Sequence, residues 1–126
     1  MILTGRAIYE GRAEGDALVS SSPMSFYGGV NPDTGVVVEK GHELEGQSVK
    51  GRVLVFPCGK GSTVGSYVLY RLVKNGAGPC AIVNAKCETI VAVGAIISEI
   101  PCVDMVDIGR IKANSRVKVQ GASVEV

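Results

Sequence analysis

The chain alternates between two kinds of hydrophobic patterning. Ile2–Tyr9 alternates weakly between apolar and polar residues and predicts a strand. Glu10–Asp16 ("EGRAEGD") predicts a turn, and Ala17–Ser21 a second strand. Gly28-Gly29 and Asn31-Pro32-Asp33-Thr34-Gly35 carry strong turn chemistry, with a short strand predicted over Val36–Glu39 and a polar loop after it. The centre is different. Arg52–Phe56 ("RVLVF") is continuously apolar, as in a strand buried on both faces. Val64, Tyr67, Val68, Leu72 and Val73 fall near helical spacing and predict an amphipathic helix, stopped by "NGAGP" at Asn75–Pro79. Cys80–Val83 predicts another buried strand, so the three form a right-handed parallel βαβ unit. A short helix near Glu88–Val93 and a strand near Ile100–Val103 extend it. The tail "RVKVQGASVEV" reads as a closing hairpin. The predicted fold is α/β, a β/β/α layered domain with β-rich N- and C-terminal parts around a central βαβ unit. One convincing helix is too few for a doubly wound fold.

Length and composition narrow the function classes. At 126 residues the expectation is one domain spanning 1–126 with one adequate core. A net charge of +1 advertises neither nucleic acid nor an acidic membrane surface, and the absence of Trp leaves few platforms for stacking bases. The longest apolar run, Ile90–Ile97, is far below the roughly 18 residues that suggest a membrane span. No export signal is read at the start, so the cytoplasm and reduced thiols are expected. Cys58, Cys80, Cys87 and Cys102 include no C-x-x-C spacing, and His42 is the sole histidine; no metal site in this chain is expected. Three of the cysteines are expected as buried strand residues, with Cys58 in a loop. Arg110–Lys118 is a basic cluster on an expected solvated edge.

The candidate chemistry lies in "FPCGKGSTVGSYVLYRL", Phe56–Leu72, where a strand runs into three glycines, a lysine and hydroxyl side chains. Lys60 is followed by Gly61, so the nucleotide-binding pattern G-x-x-x-x-G-K-[ST] fails; Gly61 directly precedes Ser62, so the hydrolase elbow G-x-S-x-G fails too. A serine triad needs a histidine, and His42 lies in another loop. Ser62 and Thr63 stand at the predicted start of a helix, where free N–H groups favour an anion. Lys60 adds a positive charge, and Gly61 admits a ligand to the backbone. Three readings stay open on these residues: Ser62 as a helix cap, the loop as an anion site, or Ser62 as a base with a stabilised alkoxide. Ser25–Gly35 is either a connecting turn or a second ligand-binding segment.

The residues from "PMSFYGGVNPDTG" through "HELEGQSVKGRVLVFPCGKGSTVGS", continued by "GPCAIV" and "VGAIISEIPCVD", resemble the swivel domain of the aconitase X family over nearly the whole chain. A free-standing chain of this length is similar to the small subunit of the family's archaeal two-subunit enzymes. The resemblance implies a swivelling domain and a hydro-lyase reaction, (R)-5-phosphomevalonate losing water to give trans-anhydromevalonate 5-phosphate in a modified mevalonate pathway. It implies a large subunit carrying a [4Fe–4S] cluster as Lewis acid, with no cofactor on this chain. It assigns the proton acceptor to Ser62 through the motif G-S-x-x-G-S, with Lys60, Gly61 and Thr63 as candidate contacts to a small phosphorylated hydroxy acid. Two other functions stay open: a hydroxyproline-type dehydratase subunit of the same family, and a non-catalytic module that binds a phosphorylated ligand or regulates a partner.

Overall fold

A computed structural model describes all 126 residues. Eight strands and two helices follow in the order β1 (Ile2–Thr4), β2 (Arg6–Tyr9), β3 (Arg12–Val19), β4 (Val53–Phe56), α1 (Gly65–Lys74), β5 (Ala81–Asn84), α2 (Thr89–Ser98), β6 (Cys102–Asp104), β7 (Arg116–Gln120) and β8 (Ser123–Glu125), with one 3-10 turn at Ile108–Arg110. The strands hydrogen-bond in the order β1-β8-β7-β3-β4-β5-β6-β2. β3, β4, β5 and β6 run parallel to one another, and β7, β8, β1 and β2 pair antiparallel with their neighbours. β1 and β2 stand at opposite ends of this order, yet only Gly5 separates them in sequence. The ladders fall into two layers: an antiparallel sheet of β1, β8, β7 and the first part of β3, and a mainly parallel sheet of the rest of β3 with β4, β5, β6 and β2, as the layered β/β/α reading expects.

The two sheets and the helices enclose two cores. Val53 and Val55 of β4 point inward with Ala17, Val83, Val103, Val117, Val119 and Val124. Leu54 and Phe56 of the same strand point outward and lie under Leu69 and Leu72 of α1 and Val91 and Ala95 of α2. The apolar run at Arg52–Phe56 thus has the two-sided burial its sequence predicts, because side chains alternate across a strand. The βαβ unit, the stop at Asn75–Gly76 and the closing hairpin stand as expected.

Six expectations need correction. Glu10–Asp16 is not a turn: Arg12–Asp16 continues β3, because each of these residues pairs with β7. Ile2–Tyr9 is two strands, not one. Val36–Glu39 makes only isolated bridges, Val36 with Ser48 and Val37 with Val30. α2 is as long as α1, so two helices cover the sheet. The buried face of α1 is Gly65, Ser66, Leu69 and Leu72; Val64, Tyr67 and Val73 are exposed. The cysteines also differ from expectation: Cys102 alone is a fully buried strand residue, and Cys58, Cys80 and Cys87 are half-buried in loops.

The link from β3 to β4, Ser20–Arg52, is the feature that shapes the site. It holds no helix or regular strand, and irregular stretches this long are uncommon unless functional. Its own apolar residues, Met24, Phe26, Val30, Val37, Leu44 and Val49, fold into the outer core. Phe26 meets Phe56 edge to face with ring centroids 5.9 Å apart. Glu43 fixes the start of this segment by accepting from the hydroxyls of Ser20 and Ser21 and the N–H groups of Ser21 and Ser22. No helix is long and apolar enough to cross a membrane.

Candidate active site

The serine loop leaves the carboxyl end of β4, the end of a parallel sheet where ligands commonly bind. Its first half is held as an extra strand segment. Met24 N–H donates to Cys58 O (3.1 Å), and Lys60 N–H donates to Met24 O (3.0 Å). Glu88, the N-cap of α2, closes it from the other side: its carboxylate accepts from the N–H groups of Ile90 (2.7 Å) and Val91 (2.8 Å). A side chain at position 59 would put its Cβ 2.3 Å from Glu88 Oε1, so only glycine fits. Gly61 turns the chain with φ +91°, a conformation that disfavours other residues.

Ser62 is exposed on this fixed loop. It is not the helix cap that one reading of the sequence offers. Val64 holds the N-cap position without a side-chain bond, and Ser62 Oγ accepts the N–H of Val64 at 3.2 Å, two residues along. Gly65, Ser66 and Tyr67 return their N–H groups to the carbonyls of Ser62, Thr63 and Val64. The N–H groups of Gly61, Ser62 and Thr63 donate to no protein acceptor. Backbone donors gathered at a helix start stabilise negative charge, whether on a bound anion or on the serine oxygen itself.

Lys60 and Gly61 face the long β3–β4 segment across a shallow cleft of about 360 Å³, lined also by Ser25, Tyr27, Gly28, Gly29 and Glu39. Lys60 Nζ is 2.9 Å from Glu39 Oε2, so its charge is already partnered in this state. An anionic ligand would have to share or displace that contact. Thr63 faces the other way, into a second cleft with Ser66, Tyr67, Thr89, Ile90 and Val93. Ser62 therefore stands between two clefts, with Gly61 in one and Thr63 in the other. Glu39 and Glu88 were not among the sequence candidates. Glu88 carries a weak signal, an acidic residue just before an apolar helical run; Glu39 carries none, because its partner is 21 residues away.

The other titratable groups have structural settings. His42 is buried; its Nδ1 accepts the N–H of Leu44 (3.1 Å), which puts the proton on Nε2, 3.1 Å from Pro23 O. The imidazole thus holds the long segment together. The Cys102 thiol is pushed up by its hydrogen bond with Cys87 and by burial, and burial likewise pushes up Cys80. Neither is poised as a nucleophile. Burial alone would raise the Asp104 carboxyl, but the Arg6 guanidinium, bidentate at 3.0 and 2.8 Å, and the Cys87 N–H hold it below its ordinary value. The basic residues of β7 are partly paired, Arg116 contacting Glu14 and Asp16. No three His, Cys, Asp or Glu side chains converge as metal ligands, so the donor set does not fit an iron–sulfur cluster within this chain.

Comparison with known proteins places this geometry. The family model of the aconitase X swivel domain matches residues 2–126. The phosphomevalonate dehydratase small subunit of Methanosarcina acetivorans is 65% identical over 105 residues, 83% of this chain and 73% of that protein. The one from Thermococcus kodakarensis is 54% identical over 126 residues, covering 100% of this chain and 95% of that protein. The crystal structure of Thermococcus kodakaraensis aconitase X in its holo-form superposes with a TM-score of 0.97 at 52% identity, over 99% of this chain and 97% of that one.

Proposed function

The chain belongs to the aconitase X swivel-domain family, and from that membership we propose that it is the small subunit of a hydro-lyase dehydrating (R)-5-phosphomevalonate to trans-anhydromevalonate 5-phosphate, one step of a modified mevalonate route to isoprenoids. It works as a single swivel domain, in the cytoplasm, with a large subunit that carries a [4Fe–4S] cluster. The cluster supplies Lewis acidity when bound to that partner; the residues here do not fit it, and no step of this chain runs through it.

The observation that carries the reading is Ser62 itself: an exposed hydroxyl, on a loop anchored at both sides, whose oxygen receives the Val64 N–H beside three unengaged backbone N–H groups. Such donors stabilise an alkoxide at Ser62 relative to that of a serine free in water. As an alkoxide, Ser62 takes the proton from the carbon next to the substrate carboxylate. The C–H electron pair becomes the new double bond, and the hydroxyl on the neighbouring tertiary carbon leaves as water with the help of an acid outside this chain. The Ser62 proton then returns to solvent. In this reading the unengaged N–H groups of Gly61 and Thr63 hold a carboxylate or phosphate oxygen, and Lys60 joins them by exchanging its contact with Glu39.

Anaerobic copurification with the large subunit, followed by a dehydration assay on (R)-5-phosphomevalonate, tests this. Turnover by the complex and none by this chain alone is expected. Turnover of a hydroxyproline substrate instead, or of neither substrate by an assembled complex, overturns it.

A further inference from the structure

Beside the serine loop, α1 and α2 enclose a groove lined by Tyr67, Ile90 and Val93 together with Thr63, Ser66 and Thr89, and exposed apolar side chains continue along both helices, Tyr70 with the Lys74 ammonium over its ring. Tyr67, Tyr70 and Val73 recur at every third position of α1, and Ile90, Val93 and Ile97 at spacings of three and four on α2. That spacing sets each trio along one side of its helix. Tyr67 is 68% exposed, Val93 41% and Ile97 40%. No charged residue occurs from Thr89 to Ser98, although this helix lies on the surface. Surface helices normally turn a charged or polar face to water, and one that is apolar all round is normally covered. The helices lie close together: Ser66 Oγ donates to Ile90 O at 2.7 Å, and Gly94 of α2 packs on Leu69 of α1. Between them runs the second cleft, about 240 Å³, with Thr63 and Thr89 at its mouth.

We propose that this groove seats the large subunit. The inference rests on the reading of Ser62 as half of a shared site. A partner that brings an acid to the substrate at Ser62 must come over the loop from outside. Thr63, the next residue, is already the mouth of the groove, so the covering surface runs on between the helices without a break. A second copy of this chain fits less well. A two-fold contact here would bring two serine loops together, and each would still lack the acid that the elimination needs. The seat calls for a ridge of apolar or aromatic side chains on the large subunit, with its polar rim meeting the serine loop.

The test uses the full chain and the purified large subunit. Val93→Glu and Tyr67→Glu each put a carboxylate into the groove from a different helix; Gln120→Glu, on exposed β7, is the control. Since Val93 and Tyr67 are exposed, the isolated variants are expected to melt like wild type, and the melting temperatures check this. Titration calorimetry is expected to show both groove variants binding the large subunit at least about 30-fold more weakly, as for a residue central to an interface, with the control unchanged. Unchanged affinity in both folded groove variants overturns the proposal. So does a dimer of the isolated chain, seen by analytical ultracentrifugation, that Val93→Glu disperses. The two readings fail separately. A wild-type complex that assembles through the groove yet dehydrates nothing refutes the enzymatic function alone, and an active complex indifferent to both substitutions refutes the groove alone.

Discussion

Ser66 Oγ donates to Ile90 O at 2.7 Å, tying the first turn of α1 to the first turn of α2. Ser66 is buried, whereas Ser62, one turn earlier in the same motif, is exposed and accepts a hydrogen bond. Two serines four residues apart thus have separable roles. Ser66→Ala is expected to lower the stability of the isolated chain by about 0.5–1.5 kcal/mol, the usual worth of one buried hydrogen bond. Thermal or urea melting reads this, and the turnover of the assembled enzyme should change far less than its stability.

Ser62→Ala is expected to show the opposite pattern. Its partner, the Val64 N–H, can turn to water, so melting and assembly stay near wild type. Dehydration falls by about 10²–10⁴-fold, the common loss when a proton acceptor is removed. Exchange of the substrate's α-proton with deuterated solvent stops as well. Near-normal turnover would return Ser62 to a purely local role in the loop.

Gly59→Ala is expected to displace the serine loop. The new Cβ would meet Glu88 Oε1 at 2.3 Å and Val91 Cγ2 at 2.7 Å, and Glu88 cannot swing aside without releasing two N–H groups of α2. The complex should lose most of its activity, and α2 should exchange its first amide protons faster in hydrogen-exchange measurements. Wild-type kinetics would show that the anchoring by Glu88 is dispensable.

Lys60→Ala is expected to change stability little, because the Lys60–Glu39 pair lies at the surface, with Lys60 about half exposed and Glu39 partly covered, and surface pairs contribute about 0–1 kcal/mol. If Lys60 meets the substrate's anionic groups, KM for (R)-5-phosphomevalonate rises and kcat changes less. Glu39→Gln, which frees the lysine, should move KM in the opposite direction. Identical kinetics in both variants would remove Lys60 from the binding site.

Acid should unfold the chain partly through Asp104 and Glu43. The Asp104 carboxyl is held below its ordinary 3.8 once Arg6 and Cys87 outweigh the effect of burial, and the Ser21 hydroxyl leads the groups that hold Glu43 below its ordinary 4.5. In both cases the unfolded chain takes up its proton first. Their stabilisation is therefore complete above those ordinary values and is lost as pH falls through the lower folded ones. Asp104→Asn should melt earlier at neutral pH and lose less stability than wild type between neutral and acid conditions. Parallel melting curves against pH would show that this carboxylate does not contribute.

The sequence determined the centre of the molecule. Val53–Phe56 and Ala81–Val83 are apolar on both faces, so they had to be interior strands, and the glycine-rich loop between the first of them and a helix had to lie at the carboxyl end of a parallel pair. That is enough to locate Ser62. What depends on partners distant in sequence was decided by tertiary structure. Arg12–Asp16 looks like a turn because its own residues are small or charged, yet it is a strand because β7, about a hundred residues away, supplies the hydrogen bonds. The split into two sheets rests on β3 exchanging β7 for β4 as its partner at Ala17, and on the chain crossing from one end of the strand order to the other at Gly5, which no local pattern encodes. On α1 the period was legible but the buried face was not. Leu69 and Ser66 turn inward because α2 and Phe56 lie there, and the more numerous apolar residues Val64, Tyr67 and Val73 are left outside. The surroundings of Ser62 follow the same rule. Met24 and Glu39 of the long β3–β4 link and Glu88 at the start of α2 reach its loop from two sides, and only the packing of link and helix on the outer core brings them together.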